Sequence, residues 1–153
     1  MLSDDVFRSQ LAMTFADLLR TAEGLADVAD VGHSQTREFV RLSLLPHARG
    51  ACAVEVMLRA DQLYDISIGT EFYEDCSIQR FETFVPLIEA IAKGDVIQRR
   101  HVSAVTGTER SIETMVRLPG GDVWRKGHDY RVASAIPDDG TVFDDRRYVA
   151  YRR

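Results

Sequence analysis

The residues most capable of chemistry lie between Asp61 and Asp75, where carboxylates alternate with tyrosine and phenylalanine. Two carboxylates that are buried together can share general acid and base roles, because their pKa values are driven apart. Nothing in the sequence requires such burial. The same composition in an exposed loop suits recognition of an arginine-rich protein surface, where aromatic rings anchor a partner and carboxylates attract it. The candidate partner-binding residues are Tyr64, Asp65, Glu71, Tyr73, Glu74 and Asp75. A solvated loop without a binding role is the open alternative.

The four histidines give no metal-binding pattern. No two of His33, His47, His101 and His128 have the spacing that places zinc ligands on one face of a helix. The sequence also contains no P-loop, nucleophile elbow or dinucleotide fingerprint. We therefore assign no metal site, cofactor or catalytic residue. A small enzyme or ligand-binding protein is the alternative hypothesis, with a pocket between helices and sheet that uses Glu71, His101 or His128.

Basic residues suggest a second alternative, a nucleic-acid accessory protein. They cluster in four pairs, Arg99-Arg100, Arg125-Lys126, Arg146-Arg147 and Arg152-Arg153. These pairs would neutralise phosphates if the fold aligned them. Neighbouring strand residues point to opposite faces, however, so Arg100 should point away from Arg99 and His101. Trp124 is expected in the core rather than on a stacking surface. A nucleic-acid partner is therefore not favoured.

Length and charge set the broad class of the protein. A chain of 153 residues corresponds to one ordinary domain. Its N-terminus is acidic and no apolar run reaches the roughly 20 residues of a membrane span, so we expect a cytoplasmic protein without membrane contact. Cys52 and Cys76 are expected as buried thiols. Residues 1–94 carry 15 acidic and 8 basic side chains, net −7, whereas residues 95–153 carry 9 and 11, net +2. The acidic half favours a basic partner.

Two helices are predicted from apolar residues at helical spacing. The stripe of the first helix contains Phe7, Leu11, Phe15, Leu18, Ala22 and Leu25. Ser3 is its expected N-cap, and it should end between Gly24 and Gly32. The second helix is expected around residues 83–93, because this start places Pro86 in the first turn, where no N–H donor is required. A kinked extension over Ser77–Glu82 is the open alternative. Gly94 should close that helix in a left-handed conformation.

Strands are predicted on both sides of the second helix. Alternating polar and apolar residues mark Arg37–Leu45, Ala51–Arg59 and Leu63–Ile68. After the helix, two alternating runs are joined at residues 106–108, and a turn at residues 119–122 leads to a third run. This pattern predicts an antiparallel meander.

The C-terminal part has two interpretations, a last hairpin that pairs residues 130–132 with 148–151, or a mobile loop over residues 138–147. The predicted fold is a single α+β domain over residues 1–153. Its element order is helix, three strands, helix and three to five strands, with about six strands in one curved, mainly antiparallel sheet packed by the two helices.

The leading hypothesis is a non-enzymatic protein-binding module that engages a basic partner through the acidic-aromatic loop around residues 64–75. A small, acidic α+β domain with a curved antiparallel sheet resembles the general format of bacterial immunity and inhibitor proteins, which implies such a role by analogy of fold. Homodimerisation through an exposed edge strand near the C-terminus is compatible with every hypothesis.

Overall fold

The chain forms two helices and two antiparallel sheets, as a computed structural model of residues 2–129 and 140–152 describes it. The elements are α1 (Asp4–Glu23), β1 (Ala29–Gln35), β2 (Phe39–Pro46), β3 (Val54–Arg59), β4 (Leu63–Ile68), β5 (Glu71–Ser77), α2 (Phe84–Ala92), β6 (Val96–Ser103), β7 (Glu109–Arg117), β8 (Val123–Asp129) and β9 (Thr141–Arg147). The predicted α+β class with antiparallel strands is confirmed. The described residues contain nine strands rather than about six, and these strands form two sheets rather than one.

Helix α1 buries the predicted apolar stripe. Its buried residues include Phe7, Leu11, Phe15, Leu18 and Ala22. Ser3 occupies the N-cap position with an extended backbone, although its side chain makes no capping hydrogen bond. The carboxylates of Asp4 and Asp5 lie in the first turn, where the positive end of the helix dipole stabilises them. One face of α1 therefore covers the core while the other meets water.

The first sheet is a meander with strand order β1-β2-β3-β4-β5. Strand β4 has the predicted bounds, and β2 and β3 begin shortly after their expected starts. Strand β1 was not predicted, because Asp30, Gly32 and Ser34 leave it without an apolar alternation. It forms by pairing with β2, from Ala29 opposite Pro46 to Gln35 opposite Val40.

The segment expected as an exposed acidic-aromatic loop is a strand. Residues Glu71–Ser77 form β5 and pair with β4, so that Tyr73 lies opposite Ile66. A register shift follows, and Asp75 has a φ of +56°. Strand pairing therefore places one face of this segment against the core and leaves its outer edge without a strand partner in the described residues.

Helix α2 follows a short 3-10 helix at Phe81–Thr83. Pro86 lies in its first turn, as predicted, where its missing N–H costs no hydrogen bond. Gly94 has a φ of +83° after the last turn, which confirms the expected left-handed stop. The helix buries an apolar face that includes Leu87 and Ile91.

The second sheet has strand order β8-β7-β6-β9. Strands β6, β7 and β8 are the predicted meander. Strand β9 pairs with β6, from Ser103 opposite Thr141 to Ile97 opposite Arg147. Residues 141–147 are thus a strand rather than the alternative mobile loop. The other interpretation, a hairpin from residues 130–132, lies outside the described residues.

The last residues of the described chain contact the end of α2 and the turn that follows α1. The Tyr151 N–H donates to the Ala92 carbonyl at 2.8 Å, and the Arg152 guanidinium contacts both carboxylate oxygens of Asp27 at 2.6 and 2.8 Å. No helix in residues 2–129 or 140–152 is long and apolar enough to cross a membrane.

Replacement of Gly94 tests this close packing. A Cβ at Gly94 would lie 2.8 Å from the Ala150 nitrogen and 2.9 Å from the Val149 carbonyl carbon. Gly107 is a matched control, because it has a φ of +70° and no atom within 4 Å of a built Cβ. Gly107→Ala should lower the free energy of unfolding by about 1–2 kcal/mol through backbone strain alone. Gly94→Ala should lower it clearly further in urea unfolding, and equal losses would contradict the close approach.

Candidate functional site

A groove lies between two edge strands, β5 of the first sheet and β8 of the second. Its volume is about 750 Å³. Residues 72–77 line one side and residues 123–128 the other, with further contributions between Gln79 and Phe84. Because a strand rises about 3.3 Å per residue, six residues on each side correspond to a length of roughly 20 Å. We call this feature the β5–β8 groove.

Aromatic rings form the floor of the β5–β8 groove. Tyr64, Tyr73 and Trp124 are 6%, 4% and 9% exposed. The Trp124 indole nitrogen donates to the Tyr64 hydroxyl at 3.2 Å. The ring of Tyr73 meets Trp124 edge-on at a centroid distance of 6.0 Å and stacks on His128 at 4.5 Å. The floor is therefore one connected cluster of rings fixed before any ligand binds.

A buried polar network fixes this floor where the sheets meet. The Gln98 amide nitrogen donates to the Ile68 carbonyl at 2.8 Å and to the Thr114 hydroxyl at 3.1 Å. The Thr114 and Tyr73 hydroxyl oxygens are 2.7 Å apart, and the Tyr148 hydroxyl donates to the Gln98 side-chain oxygen. In the described part of the chain, no buried side-chain nitrogen or oxygen lacks a hydrogen bond. The network is thus satisfied, and it joins both sheets.

One histidine links the two edge strands directly. His128 Nε2 lies 2.8 Å from the carbonyl oxygen of Phe72 on β5. A carbonyl can only accept, so Nε2 carries the proton in this contact. The Phe72 carbonyl is therefore occupied, and the two strands are tied together at this end of the β5–β8 groove.

Arginine 59 neutralises part of the predicted acidic surface. Its guanidinium contacts Asp65 at 3.2 Å and Asp61 at 2.5 Å, and it also binds Asp75. Hydrogen bonds to Asp75 and Asp61, with the charge of Asp65 nearby, raise the pKa of Arg59. The Asp65 carboxylate also accepts the Asp75 N–H at 2.8 Å. Asp65 and Asp75 are therefore committed to internal contacts.

Three charged side chains of the β5–β8 groove remain without an ion pair among the described residues. They are Glu74 on β5, Lys126 on β8 and Arg80 before α2. Arg125 on β8 lies 3.6 Å from Glu113 and is 59% exposed at its side chain. The groove therefore presents both signs of charge over an aromatic floor.

The structure brings together four of the six predicted partner-binding residues. Tyr64, Tyr73, Glu74 and Asp75 all line the β5–β8 groove. The two tyrosines are buried floor residues rather than exposed anchors. Asp65 lies outside the groove lining, and Glu71 lines a separate depression on the second sheet.

Sequence reasoning missed the other side of this site. Arg125 and Lys126 were predicted only as a candidate phosphate-binding pair. Arg80 and Val123 were not among the candidate site residues. These residues could not be assigned to the site from the sequence, since β8 faces β5 only when the two sheets pack together. The two edge strands lie about 50 positions apart in the sequence.

The residues of the enzyme alternative are not assembled into one site. His128 lies in the β5–β8 groove, and Glu71 lines the depression on the second sheet. His101 packs edge-on against Phe143 of β9 at a centroid distance of 4.8 Å. The three candidate side chains of this hypothesis therefore occupy three separate places, and of them only His128 lines the β5–β8 groove.

The strand arginines are partnered on opposite faces of the second sheet, as alternation predicted. Arg99 forms two hydrogen bonds with Asp145, at 2.7 and 2.9 Å. Arg100 pairs with Asp144 on the other face at 2.5 Å. Arginines 99 and 100 therefore bind β9 to β6 and do not form one basic patch.

Both cysteines are buried and free, as expected. Burial raises the pKa of the Cys52 thiol to about 12 and also raises the pKa of Cys76. Nucleophilic attack requires the thiolate, so both groups are unreactive thiols at neutral pH.

No protein-family model, curated protein or solved structure matches the chain. Over residues 2–129 and 140–152, no group of three or more histidine, cysteine, aspartate or glutamate side chains could hold a metal ion. The β5–β8 groove is therefore the feature from which a function is inferred.

Removal of the Gln98 amide tests the network beneath the groove. Gln98→Leu leaves the Tyr148 hydroxyl and the Ile68 carbonyl without their partner. We expect a loss of about 2–4 kcal/mol in the free energy of unfolding, since each unsatisfied buried group costs roughly 1–3 kcal/mol. The exposed Gln10→Leu variant is the matched control and should unfold like the wild type in urea. A small effect of Gln98→Leu would show that water replaces the amide.

The ion pair between β6 and β9 predicts a pH dependence of stability. Hydrogen bonds from Arg99 hold the pKa of Asp145 below its usual 3.8. A carboxyl with a lowered folded-state pKa stabilises the fold above the unfolded value and loses that contribution as the pH falls through the folded value. Asp145→Asn should therefore be less stable than the wild type at pH 6, and the difference should vanish as the pH falls below 3.8. Urea unfolding at several pH values measures this. A difference that is unchanged at low pH would contradict it.

Proposed function

We propose that this protein is a non-enzymatic binding module that holds a segment of a partner protein in the β5–β8 groove. The observation that carries the proposal is the convergence of four predicted residues, Tyr64, Tyr73, Glu74 and Asp75, on one groove between two sheet edges. An immunity or inhibitor protein is one biological form of such a module.

The shape of the groove favours a peptide segment over a compact small molecule. It follows both strands for about six residues, a length of roughly 20 Å that matches an extended chain of similar length. Phe72 and Val123, which are 53% and 48% exposed at its sides, supply apolar contact area. Glu74, Arg80 and Lys126 supply charges that fix the orientation of the segment.

The sign of the partner's charge is a separate prediction. The basic partner inferred from the sequence would be attracted by Glu74, because Arg59 already engages Asp65 and Asp75. Lys126 across the groove would oppose the same partner. Reversal of each charge therefore separates a basic from an acidic ligand.

A library of random dodecapeptides displayed on phage, selected against the full chain, tests the proposal. For a basic ligand, Glu74→Lys should weaken binding of selected peptides by about tenfold at low salt, and Lys126→Glu should strengthen it. Glu23→Lys makes the same charge change as Glu74→Lys at the exposed end of α1 and should leave affinity almost unchanged. Isothermal titration measures each affinity.

Two results would contradict the proposal. Equal affinity of the selected peptides for all three variants and the wild type would locate binding outside the β5–β8 groove. Repeated selection that yields no two peptides competing for the protein would show that the groove does not hold peptides. Opposite signs for Glu74→Lys and Lys126→Glu from those expected would instead retain the groove and replace the basic partner with an acidic one.

A further inference from the structure

We propose that the partner segment binds by adding an antiparallel strand to the free edge of β8, with alternate side chains directed into the β5–β8 groove. This inference rests on the proposed function and specifies how the ligand's main chain is held. Main-chain hydrogen bonds then supply affinity, and the residues along β8 select the sequence.

The hydrogen bonds of the sheet show which groups of β8 face outward. The Leu118 N–H donates to the Asp122 carbonyl at 2.8 Å, so this opposed pair is hydrogen-bonded. Hydrogen-bonded and non-hydrogen-bonded pairs alternate along an antiparallel ladder. The main-chain groups of Val123, Arg125 and Gly127 therefore point away from β7. All three residues are exposed, and no described strand pairs with this edge.

Strand β8 is a better template than β5 across the groove. Its pairing with β7 runs without a register shift. On β5, the outward Phe72 carbonyl is already bonded to His128, and the positive φ of Asp75 interrupts the regular strand. Regular edges with consecutive free groups are the ones that accept another strand.

The side chains along β8 define the chemistry of the segment. Gly127 leaves a gap that an aromatic residue on the added strand would cover. Arg125 favours an acidic residue opposite, and Val123, which is 48% exposed, favours a β-branched one. An apolar residue opposite Trp124 would face the aromatic floor. Read from its N-terminus, the segment is aromatic, any residue, acidic, apolar and β-branched.

A capped synthetic peptide, Lys-Phe-Thr-Glu-Leu-Val-Lys, is the probe, and its two terminal lysines give it the net positive charge expected of a basic partner. Its binding should protect the amides of Val123, Arg125 and Gly127 from hydrogen exchange, as measured by NMR on the labelled full chain. N-methylation of the peptide's Glu amide should lower affinity at least about tenfold, because that N–H bonds to β8. N-methylation of the Leu amide, which points away from β8, is the matched control and should change affinity little.

A proline variant tests the protein side of the same bond. Arg125→Ala removes the charge, whereas Arg125→Pro also removes an N–H that β7 does not use. Proline is tolerated on an edge strand at such a position. Arg125→Pro should therefore weaken binding at least about tenfold beyond Arg125→Ala. Circular dichroism checks that the variant is folded, and the N-methylated peptides carry the test if it is not.

Several outcomes would overturn this inference. Binding without protection of the three amides would exclude strand addition and leave the proposed function intact. Protection of those amides in the free protein would mean that the edge is already covered, by a second copy or by the chain itself. Failure of the probe while library-selected peptides bind would overturn the stated sequence. Failure of every peptide would instead contradict the proposed function.

Discussion

The position of the second sheet on the first depends on a buried network of polar side chains. Gln98 is 1% exposed and Thr114 is fully buried, yet each finds its partners in the other sheet or in its own. Apolar packing alone would allow the sheets to slide, whereas directional hydrogen bonds permit one register. Gly69 shows how closely the two sheets approach each other at this network. A Cβ there would overlap the Tyr148 hydroxyl, and its φ of +59° also favours glycine.

The β5–β8 groove results from this packing of the two sheets. Tyr73 belongs to the edge strand of the first sheet, and its hydroxyl meets Thr114 of the second sheet. That contact places the two edge strands near each other, and His128 of β8 contacts the Phe72 carbonyl of β5 at one end. β5 and β8 nevertheless belong to separate sheets and do not pair with each other. The same hydrogen bonds that hold the sheets together thus leave two strand edges side by side with aromatic rings between them.

The sequence predicted the local part of this structure and missed the long-range part. The bounds of β4, the proline in the first turn of α2 and the left-handed Gly94 follow from neighbouring residues, so they could be predicted. Strand β1 has no apolar alternation, and it forms because its main chain pairs with β2. Strand β9 likewise forms on β6, where Asp145 meets Arg99. Of the candidate site, the β5 side was predicted from composition, whereas the β8 side depended on the packing of one sheet against the other.

Charge counted along the chain is a poor guide to charge in the site. The net −7 of residues 1–94 includes Asp65 and Asp75, which Arg59 engages within the same segment. Lys126 comes from the mildly basic half and enters the groove opposite Glu74. The groove is assembled by the packing of two sheets, and internal ion pairs neutralise some of its charges before any partner binds. The groove therefore presents a few opposite charges above aromatic rings. Such a surface selects a partner by the order of the partner's residues more than by the partner's total charge.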